Sequence, residues 1–137
     1  MKYLDIAETV AKWSKDPSTQ VGAVLVSDGH IVGMGYNGFP KGIVDDHRLH
    51  SKETKHKMVI HAEVNAVVHA NRSLIKDNLT LYCTHLPCSN CASVLINFGV
   101  DEVVCYDMET QTLGESQQLA LDMFKEVGVG VTRYTRR

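Results

Sequence analysis

The chain has 137 residues and sets 14 Lys and Arg against 16 Asp and Glu, a formal charge of −2, which suits one domain over residues 1–137 able to bury its own core. The near balance and the absence of a long basic run exclude broad binding to a phosphate backbone, so nucleic acid is not an expected partner. No apolar stretch approaches the roughly 20 residues of a membrane span, and residues 1–13 mix charged and apolar positions instead of forming a signal peptide. A cytoplasmic protein with no membrane partner is expected.

Tyr3, Ile6, Ala7, Val10 and Trp13 recur at helical spacing, which predicts an amphipathic helix over 2–14 that ends at Asp16-Pro17. The β-branched run from Val21 to Val26, the turn residues Ser27-Asp28-Gly29-His30 and the run from Ile31 to Tyr36 predict a β-hairpin. Gly22, Gly33 and Gly35 weaken those strands, so something must approach the backbone closely there. Residues 37–57 show no sustained period, and a structureless stretch of that length in a compact domain is usually functional. A short helix is predicted over 60–70, a strand over 79–84, and a helix that has Pro87 in its first turn and Gly99 as C-cap. Strand 102–106, helix 115–127 and strand 129–134 complete the chain. Strands alternating with single helices imply parallel neighbours and right-handed crossovers, hence an α/β fold in three α/β/α layers around a five-stranded mixed sheet.

Two short segments carry the chemistry. His61-Ala62-Glu63 and Pro87-Cys88-Ser89-Asn90-Cys91 give H-x-E, a gap of 23 residues, then P-C-x-x-C. One imidazole and two thiolates make three zinc ligands and leave a fourth tetrahedral position for a water, the mark of a catalytic zinc rather than a structural one. Cys88 and Cys91 share one face of a first helical turn, where the helix dipole and the metal both favour thiolate. His61 and Glu63 stand two apart, which in mid-helix would separate them by roughly 200°. In a first turn both can converge beyond the helix end, so Glu63 is the expected general acid and base. His85 either completes a closed zinc site or lines the base pocket. Cys83 and Cys105, inside apolar strands, are expected as buried reduced thiols.

These motifs resemble the deoxycytidylate (dCMP) deaminase family of the cytidine-deaminase-like superfamily. The likeness spans Ser14-Lys15-Asp16-Pro17-Ser18-Thr19-Gln20-Val21-Gly22-Ala23, Gly35-Tyr36-Asn37-Gly38-Phe39-Pro40, Asp45-Asp46, the stretch from His61 to Ala66, and that from Leu81 to Ala92. It implies zinc-dependent conversion of dCMP to dUMP and ammonia in thymidylate supply. Asn37 is then expected at the deoxyribose hydroxyl, although a turn role fits it equally. Val21 and Gly22 are expected as pocket wall, the Ala62 and Leu86 backbone at the pyrimidine edge, and Tyr106 as closing the pocket or as a plain rim residue. Lys15, Ser18 and Arg48 are the phosphate candidates. The family is commonly a homohexamer activated by dCTP and inhibited by dTTP, with magnesium on the triphosphate. That implies an effector site in residues 37–57, with Gly38 and Phe39 near the base, Asp45 or Asp46 at magnesium, and Arg48, Lys52 or Lys55 at phosphate. Some members hold a second zinc before His-Ala-Glu using cysteine; His47, His50 and His56 lie there without one, so no second zinc is expected. The competing readings are a deaminase of another base, in tRNA or as free guanine, or a nucleotide sensor with a structural zinc; the acidic charge and the intact Glu63 oppose them.

Overall fold

The structure is a computed structural model that describes residues 2–107 and 113–136. Helix α1 (Lys2–Ala11) buries Leu4, Ala7, Val10 and Ala11, a stripe at helical spacing. Strands β1 (Gly22–Ser27) and β2 (His30–Tyr36) pair antiparallel through a two-residue loop, in which Asp28 and Gly29 both take positive φ (49° and 75°). That twist matches the strands it joins. Then follow α2 (Lys52–Met58), α3 (Ala62–Val68), β3 (Thr80–Cys83), α4 (Ser89–Phe98), β4 (Glu102–Tyr106), α5 (Glu115–Val127) and β5 (Gly130–Tyr134).

The five strands form one mixed sheet in the order β2-β1-β3-β4-β5. β1 is antiparallel to β2 and β3, while β3, β4 and β5 run parallel. All six residues of β1 are buried, because α1 covers one face and α3 the other. Val24 and Val26 pack on Ala7 and Val10 of α1. On the opposite face Ala23, Leu25, Leu81 and Val103 join Ala62 and Ala66 of α3, Ala92 and Leu95 of α4, and Ala120 and Phe124 of α5. The three expected layers are present.

The glycines are explained by helices rather than by a ligand. A Cβ at Gly22 would lie 2.0 Å from Ala7 O, and one at Gly35 would lie 2.3 Å from Ala66 N. Close approach is what seats α1 and α3 on the sheet.

The segment 37–57 departs from the expectation of a structureless stretch. Asp46 accepts from Arg48 N and caps a 3₁₀ turn over His47–His50; Ser51 accepts from Thr54 N and caps α2. Gly38 and Ile60 then exchange backbone hydrogen bonds at 3.1 and 2.8 Å, which delivers the chain to α3. Pro87 also departs from the expected position. Cys88 is the N-cap of α4, so Pro87 precedes the cap, while Gly99 closes the helix at φ 105° as expected. No helix among the described residues is long and apolar enough to cross a membrane.

Candidate active site

His61 and Cys88 occupy the N-caps of α3 and α4, and neither side chain caps its own helix. An N-cap side chain normally accepts from the first-turn N–H groups. Here both side chains turn outward and meet each other. His61 Nδ1 lies 3.2 Å from Cys91 Sγ and 3.6 Å from Cys88 Sγ, and the three ligand atoms all fall within 4.8 Å of one another. Zinc bonds of about 2.3 Å to sulfur and about 2.0 Å to nitrogen put tetrahedral neighbours roughly 3.5–3.8 Å apart. The arrangement fits zinc. His85 is not in the cluster; among the described residues the ligand set is His61, Cys88 and Cys91. Three protein ligands therefore leave one position open.

The electrostatics of the two sulfurs fit the same conclusion. Hydrogen bonds from Cys91 and His61 hold the Cys88 thiol down to about 3, while the bond with Cys88 and burial push Cys91 up. The two thiols oppose each other's ionisation, and a divalent cation between them is what allows both to be thiolates. The hydrogen bond with Cys88 raises His61. Cys83 and Cys105 lie paired in register on β3 and β4, buried and free, and burial raises both thiols.

Glu63 stands at the second position of α3 and is 5% exposed. Burial raises its pKa above the ordinary carboxylate range, against the pull of its own backbone N–H and of His61. It opens into the same cavity as the ligands, a space of about 360 Å³ whose wall includes Val21, Asn37, His61, Ala62, Glu63, His85, Leu86 and Cys88. That volume is in the range of small-molecule sites. Asn37 fixes one side of it: Oδ1 accepts from Val21 N at 2.9 Å and Nδ2 donates to Thr19 O at 2.9 Å. Behind the cavity wall, Asn65 donates to Tyr36 O at 2.8 Å and so ties α3 to the end of β2. At the far rim Ser116 Oγ accepts from Ser89 N, which joins the starts of α4 and α5 and lets Gln117 reach the cavity.

Several expected residues lie elsewhere. Tyr106 shares its face of β4 with Val104, the face toward α1, and Arg136 stacks on its ring at 4.5 Å while also pairing with Glu8. Gly22 is a packing position under α1. Lys15 is exposed and pairs with Asp45 at 3.7 Å, and Ser18 contributes its backbone N–H to Asp16 Oδ1. Arg48 is held inside its own loop by Asp46 at 2.9 Å and lies over the Phe39 ring at 5.9 Å. Lys55, expected at a surface effector, is instead buried in the cavity wall beside His56, Val59 and Asp16. Thr19 and His56 also line the cavity, although the sequence marks Thr19 only as part of a family segment and His56 only as a histidine before His-Ala-Glu, and Val59 and Gln117 were missed because neither period nor motif marks them.

The model of the cytidine and deoxycytidylate deaminase zinc-binding region matches residues 1–107. The chain belongs to this family. An Aliivibrio fischeri protein described as an uncharacterized deaminase in the luxG 3′ region is 41% identical over 134 residues, 96% of this chain and 90% of the relative. Mus musculus deoxycytidylate deaminase is 36% identical over 140 residues, 97% of this chain and 78% of the relative. Among solved structures, the dCMP deaminase from the cyanophage S-TIM5 in complex with dCMP and dUMP superposes with a TM-score of 0.79 at 28% identity, covering 97% of this chain and 94% of that one. This protein is a zinc-dependent deaminase of that family, and His61, Cys88 and Cys91 form its zinc site.

Proposed function

We propose that the protein hydrolyses the amino group of dCMP to give dUMP and ammonia. The observation that carries this reading is a buried carboxyl, Glu63, opening into one cavity with His61 and Cys88, two of the three residues of the His61, Cys88 and Cys91 ligand set. The likeness to the dCMP-bound cyanophage enzyme directs it to that substrate. Zinc held by those three residues would supply a Lewis acid that lowers the pKa of a water in the pocket. Glu63 takes a proton from that water and delivers it to the ring nitrogen next to the attacked carbon. As the carbon–oxygen bond forms and the carbon–nitrogen bond breaks, Glu63 passes the second water proton to the departing amine, which leaves as ammonia. Burial suits the task, because it raises the carboxyl above the ordinary carboxylate range and so makes it a stronger proton acceptor than a solvated glutamate. Val21, Ala62, Leu86 and His85 would frame the base, and Asn37 would present its remaining amide donor to the sugar.

Ammonia release from dCMP, CMP, deoxycytidine and dCTP, measured side by side, tests the reading. dCMP should be the preferred substrate by kcat/KM. Equal turnover of deoxycytidine would refute the nucleotide assignment.

We also propose regulation through residues 37–57, with dCTP activating, dTTP inhibiting, and a homohexamer as the assembly. A second cavity, about 160 Å³, supports it: Lys15, Tyr36, Gly38, Phe39 and Asp45 line it, and it shares Asp16 and Asn37 with the catalytic cavity. Magnesium would be held chiefly by the triphosphate, since Asp45 and Asp46 are already engaged by Lys15 and Arg48.

A further inference from the structure

The wall of the catalytic cavity carries an amide that neither the proton transfers nor the fold uses. Gln117 stands in the first turn of α5, partly buried, and lines the cavity together with His61 and Glu63. Its neighbours in that turn are engaged: Ser116 Oγ accepts from Ser89 N, and Gln118 Nε2 donates to Asp122 Oδ1 at 3.2 Å. The Gln117 amide has no hydrogen-bond partner among the described residues. It offers two donor hydrogens and an acceptor oxygen.

Room is made for this side chain by a glycine. A Cβ at Gly114, the N-cap of α5, would lie 2.6 Å from Gln117 Oε1. Gly114 takes φ −67°, which any residue adopts, so what matters there is the missing side chain and not backbone freedom. Helix side chains tilt toward the N-terminus, and the Gln117 amide lies back across Gly114 at the end of α5 that opens into the cavity.

The order of the helices decides which edge of a base this amide meets. Helix α4 packs against both α3 and α5, and the ligand set joins His61 at the start of α3 to Cys88 and Cys91 at the start of α4. Glu63 on α3 and Gln117 on α5 therefore flank that set from opposite sides. Deamination of cytosine takes place at C4, whose ring neighbours are N3 and C5. Glu63 serves N3, so C5 points the other way, toward α5. We infer that Gln117 reads the C5 edge of the pyrimidine and favours a cytosine nucleotide whose C5 substituent can hydrogen-bond over one whose substituent is apolar. The inference rests on the dCMP-deaminase reading and assigns the selectivity of its base pocket. A hydroxyl carried on C5 pairs with the amide. A methyl pressed against it displaces water and leaves donor and acceptor unsatisfied.

The test measures kcat/KM for 5-hydroxymethyl-dCMP and 5-methyl-dCMP in wild type, Gln117→Met and Gly114→Ala. Taking the ratio of the two within each protein cancels any general loss of activity. Gln117→Met keeps the length of the side chain without its amide, and the hydroxymethyl-to-methyl ratio should fall roughly 5- to 100-fold from its wild-type value, the range for leaving a buried polar group unpaired. Gly114→Ala keeps the amide but moves it, and should lower the ratio in the same direction by less. Calorimetric binding of the products, 5-hydroxymethyl-dUMP and 5-methyl-dUMP, gives the same comparison in a variant that turns over too slowly to assay, and zinc content checks that the ligand set is intact. A ratio unchanged or raised in Gln117→Met, or exclusion of both 5-substituted nucleotides by the wild type, would overturn the assignment. A wild-type protein inert toward dCMP itself would instead remove the deaminase reading, and the assignment with it.

Discussion

Glu63 is a carboxyl that the fold has taken out of water, 5% exposed and of raised pKa, and a buried group of that kind beside a metal site is a functional candidate on physical grounds. Glu63→Gln preserves shape and removes the titrating proton. We expect the variant to keep its zinc and its fold while turnover falls by roughly 10²–10⁴-fold, the span for a positioned acid–base group. Steady-state kinetics with elemental analysis of the same sample decides it, and wild-type turnover would refute the role. His61, Glu63, Cys88 and Cys91 were legible in the sequence because metal chemistry restricts which residue types can stand at such spacings. Lys55 was not. Its position in the cavity depends on a turn and a helix whose packing has no periodic trace, and a lysine in a stretch of mixed charge reads as a solvated surface.

At the scale of elements, the site depends on how closely α3 lies on β2. A Cβ at Gly35 would meet Ala66 N at 2.3 Å and Ala62 O at 2.5 Å, both backbone atoms of the helix that carries His61 and Glu63. Gly35→Ala must therefore push α3 away. We expect a loss of about 1–3 kcal/mol or more from overpacking together with weakened zinc retention, read by denaturant unfolding and by dialysis against chelator. Gly38→Ala, where a Cβ would meet nothing within 4 Å, should change stability by less than about 0.5 kcal/mol. An equally stable, zinc-replete Gly35→Ala protein would contradict this view of the site. The hairpin, β4 and α5 were legible because their apolar residues alternate or recur with the element's own period. Helix α2 was not, since KETKHKM has no apolar stripe and its single buried residue is Lys55. The side taken by Tyr106 depends on the parity of β4. Val103 and Cys105 face the core beneath α3, α4 and α5, which sends Tyr106 to the α1 side, and strand pattern alone does not say on which face the catalytic residues gather.

For the whole molecule, the catalytic cavity is assembled at one end of the sheet from the segment after α1, α2, the starts of α3 and α4, and Gln117 near the start of α5. Asp16 and Asn37 stand between it and the smaller cavity of residues 13–49. A ligand settling the smaller cavity would bias that shared wall, with a coupling of roughly 1–3 kcal/mol typical of such systems. Linkage makes this testable without turnover: if dTTP weakens dCMP binding to the Glu63→Gln variant, dCMP must weaken dTTP binding by the same factor. Calorimetric titrations in both orders should show that equality, with dCTP acting in the opposite sense. Binding indifferent to both triphosphates would remove the regulation and leave the catalytic account intact.

The central claim is that one zinc, held by His61, Cys88 and Cys91, makes this protein a deaminase of dCMP. The most direct measurement strips the protein with a chelator, returns zinc in steps and follows dUMP and ammonia from dCMP at each step. The account predicts no turnover in the stripped protein, activity rising to a break at one zinc per chain, and dUMP and ammonia formed in equal amounts. Activity that survives the loss of zinc, or zinc restored in full without any conversion of dCMP, would contradict it.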